Sequence, residues 1–185
     1  EPFVAGRKIL IVTDQNVADN GYLSKLSAQL SPVTEAIFSY ILPPGEAQKS
    51  MVNVGELVEF LAEKNFSRKD TMVALGGGVI GDLVGFVASV YLRGIDFVQV
   101  PTTLLAAIDS SVGGKTGVDL PQGKNLVGAF HQPVAVLCDV DTFKTLLPNI
   151  FEDGCSEMIK YGMIMNADLL DEIFAMETPL NANSE

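Results

Sequence analysis

The sequence predicts an α/β fold, a Rossmann-like parallel sheet with flanking helices, followed by the start of an α-helical second domain. Three observations carry this prediction. Strand-like and helix-like apolar patterns alternate from Lys8 to Leu137; three glycines, Gly76 to Gly78, stand where one strand pattern meets the next helix pattern; and from Asp141 onward every signal is helical. The expected division is a first unit over residues 1–147 and the beginning of a second over 148–185.

Taken in order, Lys8 to Val12 has the character of a buried strand, Tyr22 to Leu30 of a helix and Thr34 to Tyr40 of a second strand. From Met51 to Lys64 the apolar Met51, Val54, Leu57, Val58 and Leu61 recur at helical spacing, while Glu56, Glu59 and Glu63 take the other, solvated face. Thr71 to Leu75 predicts a strand, Val79 to Val90 an apolar helix, Phe97 to Val100 a strand, Thr103 to Ile108 a short helix and Val134 to Leu137 a further strand. Ser110 to Phe130, rich in glycine and lysine, matches neither period and is expected to be irregular; such a stretch inside a compact unit is usually functional or disordered. Short helices are expected at Asp141 to Leu147, Ile150 to Tyr161 and Ala167 to Met176.

Composition narrows the function classes. With 185 residues, 48% hydrophobic content and a mean hydropathy of +0.30, the chain can bury one sizeable core. No apolar run reaches the roughly 18 residues of a membrane span, and the first seven residues have neither region of a signal peptide, so a cytoplasmic location is expected. Cys138 and Cys155 lack metal-type spacing and are expected to be reduced. A net charge of −11 argues against nucleic acid and anionic membranes as partners. The cations Arg93, Lys115, Lys124 and Lys160 nevertheless stand among glycines or apolar residues, a placement suited to a small anionic ligand.

Several short motifs carry chemistry. Gly76, Gly78 and Gly81 satisfy G-x-G-x-x-G between a strand and a helix, where backbone without Cβ atoms lets a pyrophosphate approach the free N–H groups of a helix N-terminus. Close strand-to-helix packing is the plainer use of such glycines. Asp14 and Asn16 follow the first strand, at the carboxyl edge where open α/β sheets bind ligands, although Asp and Asn are also ordinary turn formers. Glu46 and Lys49 precede a helix, where an acidic residue can equally complement the helix dipole. Asp109 to Thr116 imitates a P-loop, but the first glycine is Asp109 and the preceding element is helical, which excludes a nucleoside triphosphatase. What remains is a glycine-rich presentation of Lys115, then Lys124 and Asn125. The sole histidine, His131, suits a structural hydrogen bond better than a metal site. Glu157 and Lys160 share a helical face, as an ion pair or as a metal ligand beside a substrate-holding ammonium.

Through Thr13-Asp14-Gln15-Asn16, Pro44 to Lys49, Gly76 to Asp82, Arg93-Gly94, Pro101-Thr102-Thr103, Ser111 to Gly117, Gly123-Lys124-Asn125, Phe130 to Pro133 and Glu157 to Gly162, nearly the whole chain resembles the 3-dehydroquinate synthase family of sugar phosphate cyclases. The resemblance implies an NAD- and metal-dependent enzyme of the shikimate pathway that cyclises a seven-carbon sugar acid phosphate, DAHP, to 3-dehydroquinate with loss of phosphate. It implies zinc, or cobalt in its place, and a homodimer. Residue by residue, it implies that Asp14, Asn16, Glu46 and Lys49 meet the adenosine half of NAD; that Gly77, Gly78 and Val79 cradle the pyrophosphate; and that Asp82, Thr102 and Thr103 lie near the ribose and nicotinamide, with Thr142 and Lys115 also on the cofactor. It assigns substrate to Asp109, Lys115, Asn125, Lys160 and a neighbouring subunit's Arg93, lets Lys124 bridge the two regions and makes Glu157 a zinc ligand.

The loop around Asn149, Asp153 and Cys155 departs from the family pattern, as do the lack of a strand before Glu1 and of two later histidines. A fragment is therefore expected, folded yet inactive alone. Other sugar phosphate cyclases, of the 2-deoxy-scyllo-inosose or valiolone synthase type, share the nucleotide motifs. Metal-dependent polyol dehydrogenases share the glycine turn and Pro-Thr-Thr but not Ser111 to Gly117 or Gly123 to Asn125. A non-catalytic NAD-binding module is the remaining alternative.

Overall fold

A computed structural model describes residues 2–175 and 181–182. Met176, where the last helix is expected to end, lies outside the described residues, as do residues 177–180 and 183–185 of the expected second unit. Five strands, β1 (Lys8–Asp14), β2 (Ala36–Leu42), β3 (Thr71–Gly76), β4 (Asp96–Pro101) and, after β5 (Lys115–Leu120) and β6 (Gly123–Phe130), the two-residue β7 (Ala135–Val136), make the predicted fold. The main sheet has the order β2-β1-β3-β4-β7 and every neighbouring pair is parallel.

Both faces of the sheet are covered, which is why its strands are continuous apolar runs. Ile9, Ile11, Val73, Leu75 and Val98 face one way and pack with Tyr22, Leu23 and Leu26 of α2 (Tyr22–Leu30), which follows the short α1 (Gln15–Asp19). Leu10, Val12, Met72, Ala74 and Phe97 face the other way and meet Leu57 and Leu61 of α3 (Met51–Glu63) and Leu83, Val84 and Val87 of α4 (Gly78–Val90). α4 is apolar on nearly all sides because it lies between the sheet and the β5–β6 hairpin, whose Val118 joins the same core.

The hairpin corrects the expectation of an irregular Ser110 to Phe130. β5 and β6 pair antiparallel, with Lys115 opposite Phe130 and Gly117 opposite Gly128. The reason for the misreading is the glycines: a Cβ on Gly117 would lie 2.6 Å from the Val127 carbonyl oxygen and one on Gly128 2.1 Å from that of Thr116. Close backbone approach demands residues that strand propensities penalise. Elsewhere the boundaries shift. β1 runs on to Asp14, β2 lies two residues later than read, and the Val134 to Leu137 strand shrinks to β7, whose only partners are Val98 and Gln99 of β4. The short helix after Thr103 widens into a π turn over Ala106–Ser110, closed by the Ser111 N–H donating to the Ala106 carbonyl at 3.0 Å. Asp141 to Leu147 is a 3₁₀ turn over Val140–Thr145.

After the 3₁₀ turn come α5 (Pro148–Met165) and α6 (Ala167–Ala175), and the expected 147/148 boundary falls at the first residue of α5, a proline suited to N1. α5 leans on the segment after β4 and on the 3₁₀ turn: Phe151 packs with Leu104 and Phe143, and a Cβ on Gly154 would lie 2.6 Å from that of Leu104. Among the described residues no helix is long and apolar enough to cross a membrane.

Candidate functional site

The chain reverses direction across the sheet between β1 and β3, so the loops after these strands diverge and leave a crevice at their carboxyl ends. A first cleft of about 660 Å³ opens there. Asp14 and Asn16 come to it from the end of β1, and Gly45 and Glu46 from the end of β2. Gly77, Gly78 and Val79 come from the end of β3, and Thr102 and Thr103 from the end of β4. Eight of the residues singled out in the sequence therefore share one wall-to-wall space.

The floor of the first cleft is the start of α4. Gly77 caps this helix without any side-chain hydrogen bond, and the first helical bond runs from the Gly81 N–H to the Gly77 carbonyl at 3.1 Å. The opening N–H groups thus have no intrahelical acceptor, and the helix dipole adds about half a positive charge at this end. A Cβ at Gly77 would stand 3.2 Å from Thr103 Cγ2, and one at Gly78 3.1 Å from Ser110 Oγ. Asp14, whose plainer reading was a turn former, instead caps α1 by accepting the Val17 N–H at 3.1 Å, and it also lines the cleft.

A second cleft of about 550 Å³ lies on the other side of α4, toward the hairpin. Asp82 reaches it from α4, Asp109 from the π turn, and Lys115 and Asn125 from the hairpin. Val112, Leu126 and Phe130 line it as well and are 64%, 59% and 83% exposed. Burial raises the Asp82 carboxyl above the usual carboxylate range, although Lys49 pulls the other way with an ion pair of 2.5 Å.

Other expected residues stand apart from both clefts. The ammonium of Lys49 lies on Asp82 and Asn125, and Lys124 pairs with Glu46 at 3.0 Å on the surface. Thr142 is buried and donates to the Asp139 carbonyl at 2.7 Å; it is Thr145, one turn later, that lines the first cleft. Arg93 is exposed beyond the far end of α4, a helix of 13 residues that spans roughly 20 Å. Leu92 and Arg93 there have φ of 50° and 67°, before Gly94. His131 makes a hydrogen bond of the kind expected for it: Nε2 meets the Ile95 carbonyl oxygen at 2.9 Å, and its ring stacks on Phe97.

α5 brings a further group to the π turn. Glu157 and Lys160 form an ion pair on one helical face, which raises the Lys160 ammonium. Tyr161, to which the sequence assigned no task, donates from its hydroxyl to Asp109 Oδ1 at 2.7 Å, and that bond raises the phenol. Its only sequence signal was its place directly after Lys160. Among the described residues no three His, Cys, Asp or Glu side chains stand close enough to hold a metal ion.

Comparison with known proteins fits this arrangement. The family model described as "3-dehydroquinate synthase N-terminal" matches residues 39–153. The chain belongs to this family. A 3-dehydroquinate synthase of Alkaliphilus metalliredigens is 51% identical over 173 residues, covering 92% of this chain and 47% of that protein. The chain spans about half the length of the curated relatives it matches. Among solved structures, the valiolone synthase ValA of Streptomyces hygroscopicus subsp. jinggangensis, with NAD+ and Zn2+ bound, superposes with a TM-score of 0.84 at 32% identity, over 91% of this chain and 47% of that one. A 2-deoxy-scyllo-inosose synthase complexed with carbaglucose-6-phosphate, NAD+ and Co2+ gives 0.83 at 29%, over 89% and 44%.

Proposed function

We propose that this chain is the nucleotide-binding half of a cytoplasmic, homodimeric 3-dehydroquinate synthase, a carbon–oxygen lyase of the shikimate pathway that converts DAHP into 3-dehydroquinate and phosphate. The observation that carries the reading is the pairing of two clefts across α4, one floored by an uncapped helix N-terminus and one lined by Lys115 and Asn125.

NAD suits the first cleft. Glycine suits this turn, because a Cβ at Gly77 or Gly78 would press on Thr103 or Ser110, and a turn without side chains leaves its N–H groups open to a pyrophosphate. Asp14 and Asn16, which line this cleft, are assigned to the adenosine ribose hydroxyls, where the Asp14 carboxylate would disfavour a 2′-phosphate. Val79, Thr102 and Thr103 would flank the rest of the cofactor. Once bound, NAD supplies transient oxidation at C5 of the substrate and takes part again in the later reduction.

The sugar acid phosphate is assigned to the second cleft. There Lys115 offers a cation to the phosphate or carboxylate, Asn125 an amide and Asp109 an acceptor for hydroxyls, while Asp82, expected near the ribose and nicotinamide, lines this cleft rather than the first and could accept from a hydroxyl here. Oxidation at C5 acidifies the neighbouring proton, and the leaving phosphate can itself carry that proton away, so no residue of this chain need act as the base. Lys160, on α5, lies near enough to Asp109 of the π turn to feel its charge. Arg93, distant within one chain, is proposed to act in a second subunit's site, so sedimentation should show dimers; monomers only would remove that role. Zinc or cobalt does not fit the described residues by themselves: Glu157 is engaged by Lys160 and has no companion ligands. Residues 148–185 are accordingly proposed to begin a helical unit whose further ligands this chain does not hold, leaving the chain inactive alone.

The test is phosphate release from DAHP with saturating NAD+ and added zinc, by this chain alone and by this chain joined to the carboxy-terminal half of the Alkaliphilus relative. Turnover by the joined protein alone is the expected result. A joined protein that binds NAD+ yet releases no phosphate from DAHP would favour a different sugar phosphate cyclase, the class of the two solved relatives.

A further inference from the structure

Lys49 is the only buried lysine or arginine among the described residues, with a side chain 6% exposed. Its ammonium donates to Asn125 Oδ1 at 2.6 Å and pairs with Asp82 Oδ2 at 2.5 Å. Asn125 holds a left-handed φ of 57°, and its N–H donates to Asp119 Oδ1 at 2.7 Å. The Asp119 N–H in turn donates to the Lys49 carbonyl at 2.9 Å, so both ends of Lys49 are tied into the hairpin. Lys49 lines neither cleft, yet its two partners line the second, and Glu46, whose carbonyl accepts the Lys49 N–H at 2.9 Å, lines the first.

A long, rotamer-rich cation held in this way costs conformational entropy and desolvation, and both are offset only if the charge is fully used inside. Here two of its three N–H donors are used, on Asp82 and Asn125, and Lys49 does not line the first cleft. We infer that Lys49 is a positioning residue for the second cleft: it sets the Asp82 carboxyl and the Asn125 amide, and joins them to the Gly45–Lys49 turn at the mouth of the first. What the two clefts hold rests on the function proposed above. The charged groups around Asp82, namely Lys49, Glu46 and Asp119, are consistent with this, since only Lys49 lowers its pKa. Without the ammonium, Asp82 would be a buried carboxyl with acidic neighbours alone, and Asn125 would lose the acceptor bond that opposes its backbone strain.

The experiment compares the wild-type chain with Lys49→Met, by NMR and by NAD+ titration calorimetry. The Asn125 amide should exchange about tenfold faster in the variant, with β1 and β3 unchanged. The Asp82 carboxyl carbon should titrate higher by about one pH unit or more. NAD+ affinity should fall by no more than about threefold. Exchange and titration that match the wild type would overturn the inference, as would a loss of NAD+ binding without any change at Asn125, which would make Lys49 a cofactor contact. If the wild-type chain binds no NAD+, the proposed function fails, but the exchange and titration comparison still decides the role of Lys49. Should Lys49→Met not fold, the uncharged pair Lys49→Met with Asp82→Asn allows the same exchange measurement, and slow exchange at Asn125 in it would again overturn the inference.

Discussion

Tyr161 of α5 donates its phenolic hydrogen to Asp109 Oδ1 at 2.7 Å, fastening α5 to the π turn that lines the second cleft. Tyr161→Phe removes that donor and keeps the ring against which the Lys160 ammonium lies. Amides of residues 106–111 should then exchange about threefold faster or more, with β3 unaffected. Equal exchange in both proteins would mean that α5 is held by Phe151 and Gly154 alone.

Gly78→Val should close the pyrophosphate cradle. Its Cβ would begin 3.1 Å from Ser110 Oγ, and the two further methyls have only the cleft to enter. NAD+ binding measured by calorimetry should weaken by about tenfold or more, roughly 1.4 kcal/mol. Unchanged affinity would displace the cofactor from this turn.

Gly85→Ala separates folding from binding. Gly85 sits where α4 crosses the hairpin, and a Cβ there would lie 2.4 Å from Thr116 Cγ2 and 3.0 Å from Phe97 Cζ. Overpacking of this kind costs about 1–3 kcal/mol. Urea unfolding should show that loss while the folded variant binds NAD+ as the wild type does; a neutral substitution would mean that the hairpin is free to move off α4.

Asp82 gives the chain a pH dependence opposite to that of most paired carboxyls. Burial, the largest influence, raises its pKa, and the bond and charge of Lys49 only moderate the rise. The native state therefore binds a proton that the unfolded chain releases near its ordinary value of about 3.9, so Asp82's contribution to stability falls as pH climbs from there through the folded value. Unfolding of the wild type and Asp82→Asn should be compared from about pH 3 to pH 7. The wild type should lose ground relative to the variant as pH rises through that window; if it gains ground, Lys49 outweighs burial.

The sheet and its ligand edge were legible in the chain because their signals are local. Ile9 to Val12 and Thr71 to Leu75 are uninterrupted apolar runs, and Gly76 to Gly78 announces the turn between strand and helix. Asp14 could be placed at the ligand edge from alternation and Gly78 from the glycine motif, whereas Gly77, Thr102 and Thr103 came from the family resemblance. The hairpin could not, since Gly117 and Gly128 are selected by the approach of two backbones far apart in sequence. Lys49 shows the other limit. The sequence placed it before a helix and, by resemblance, on the cofactor, and nothing local showed that the folding of Asn125 and Asp82 around it would make it internal. Thr142 lies one turn short of the cleft with its hydroxyl spent on the Asp139 carbonyl, and Thr145, one turn on, lines the wall.

The facing glycines of the hairpin also constrain how this protein can change over time. Gly117 and Gly128 are directly opposite in register, and every codon change that alters either residue adds at least one carbon where a carbonyl oxygen already lies within 2.6 Å. Neither position can be relieved by altering the other, because each already has the smallest side chain available. A library of single substitutions across residues 115–130 should therefore return two empty columns at these sites. Adaptation to a new substrate would have to work through the mutable rim, at Val112, Leu126 and Phe130, with the frame that carries Lys115 and Asn125 inherited unaltered.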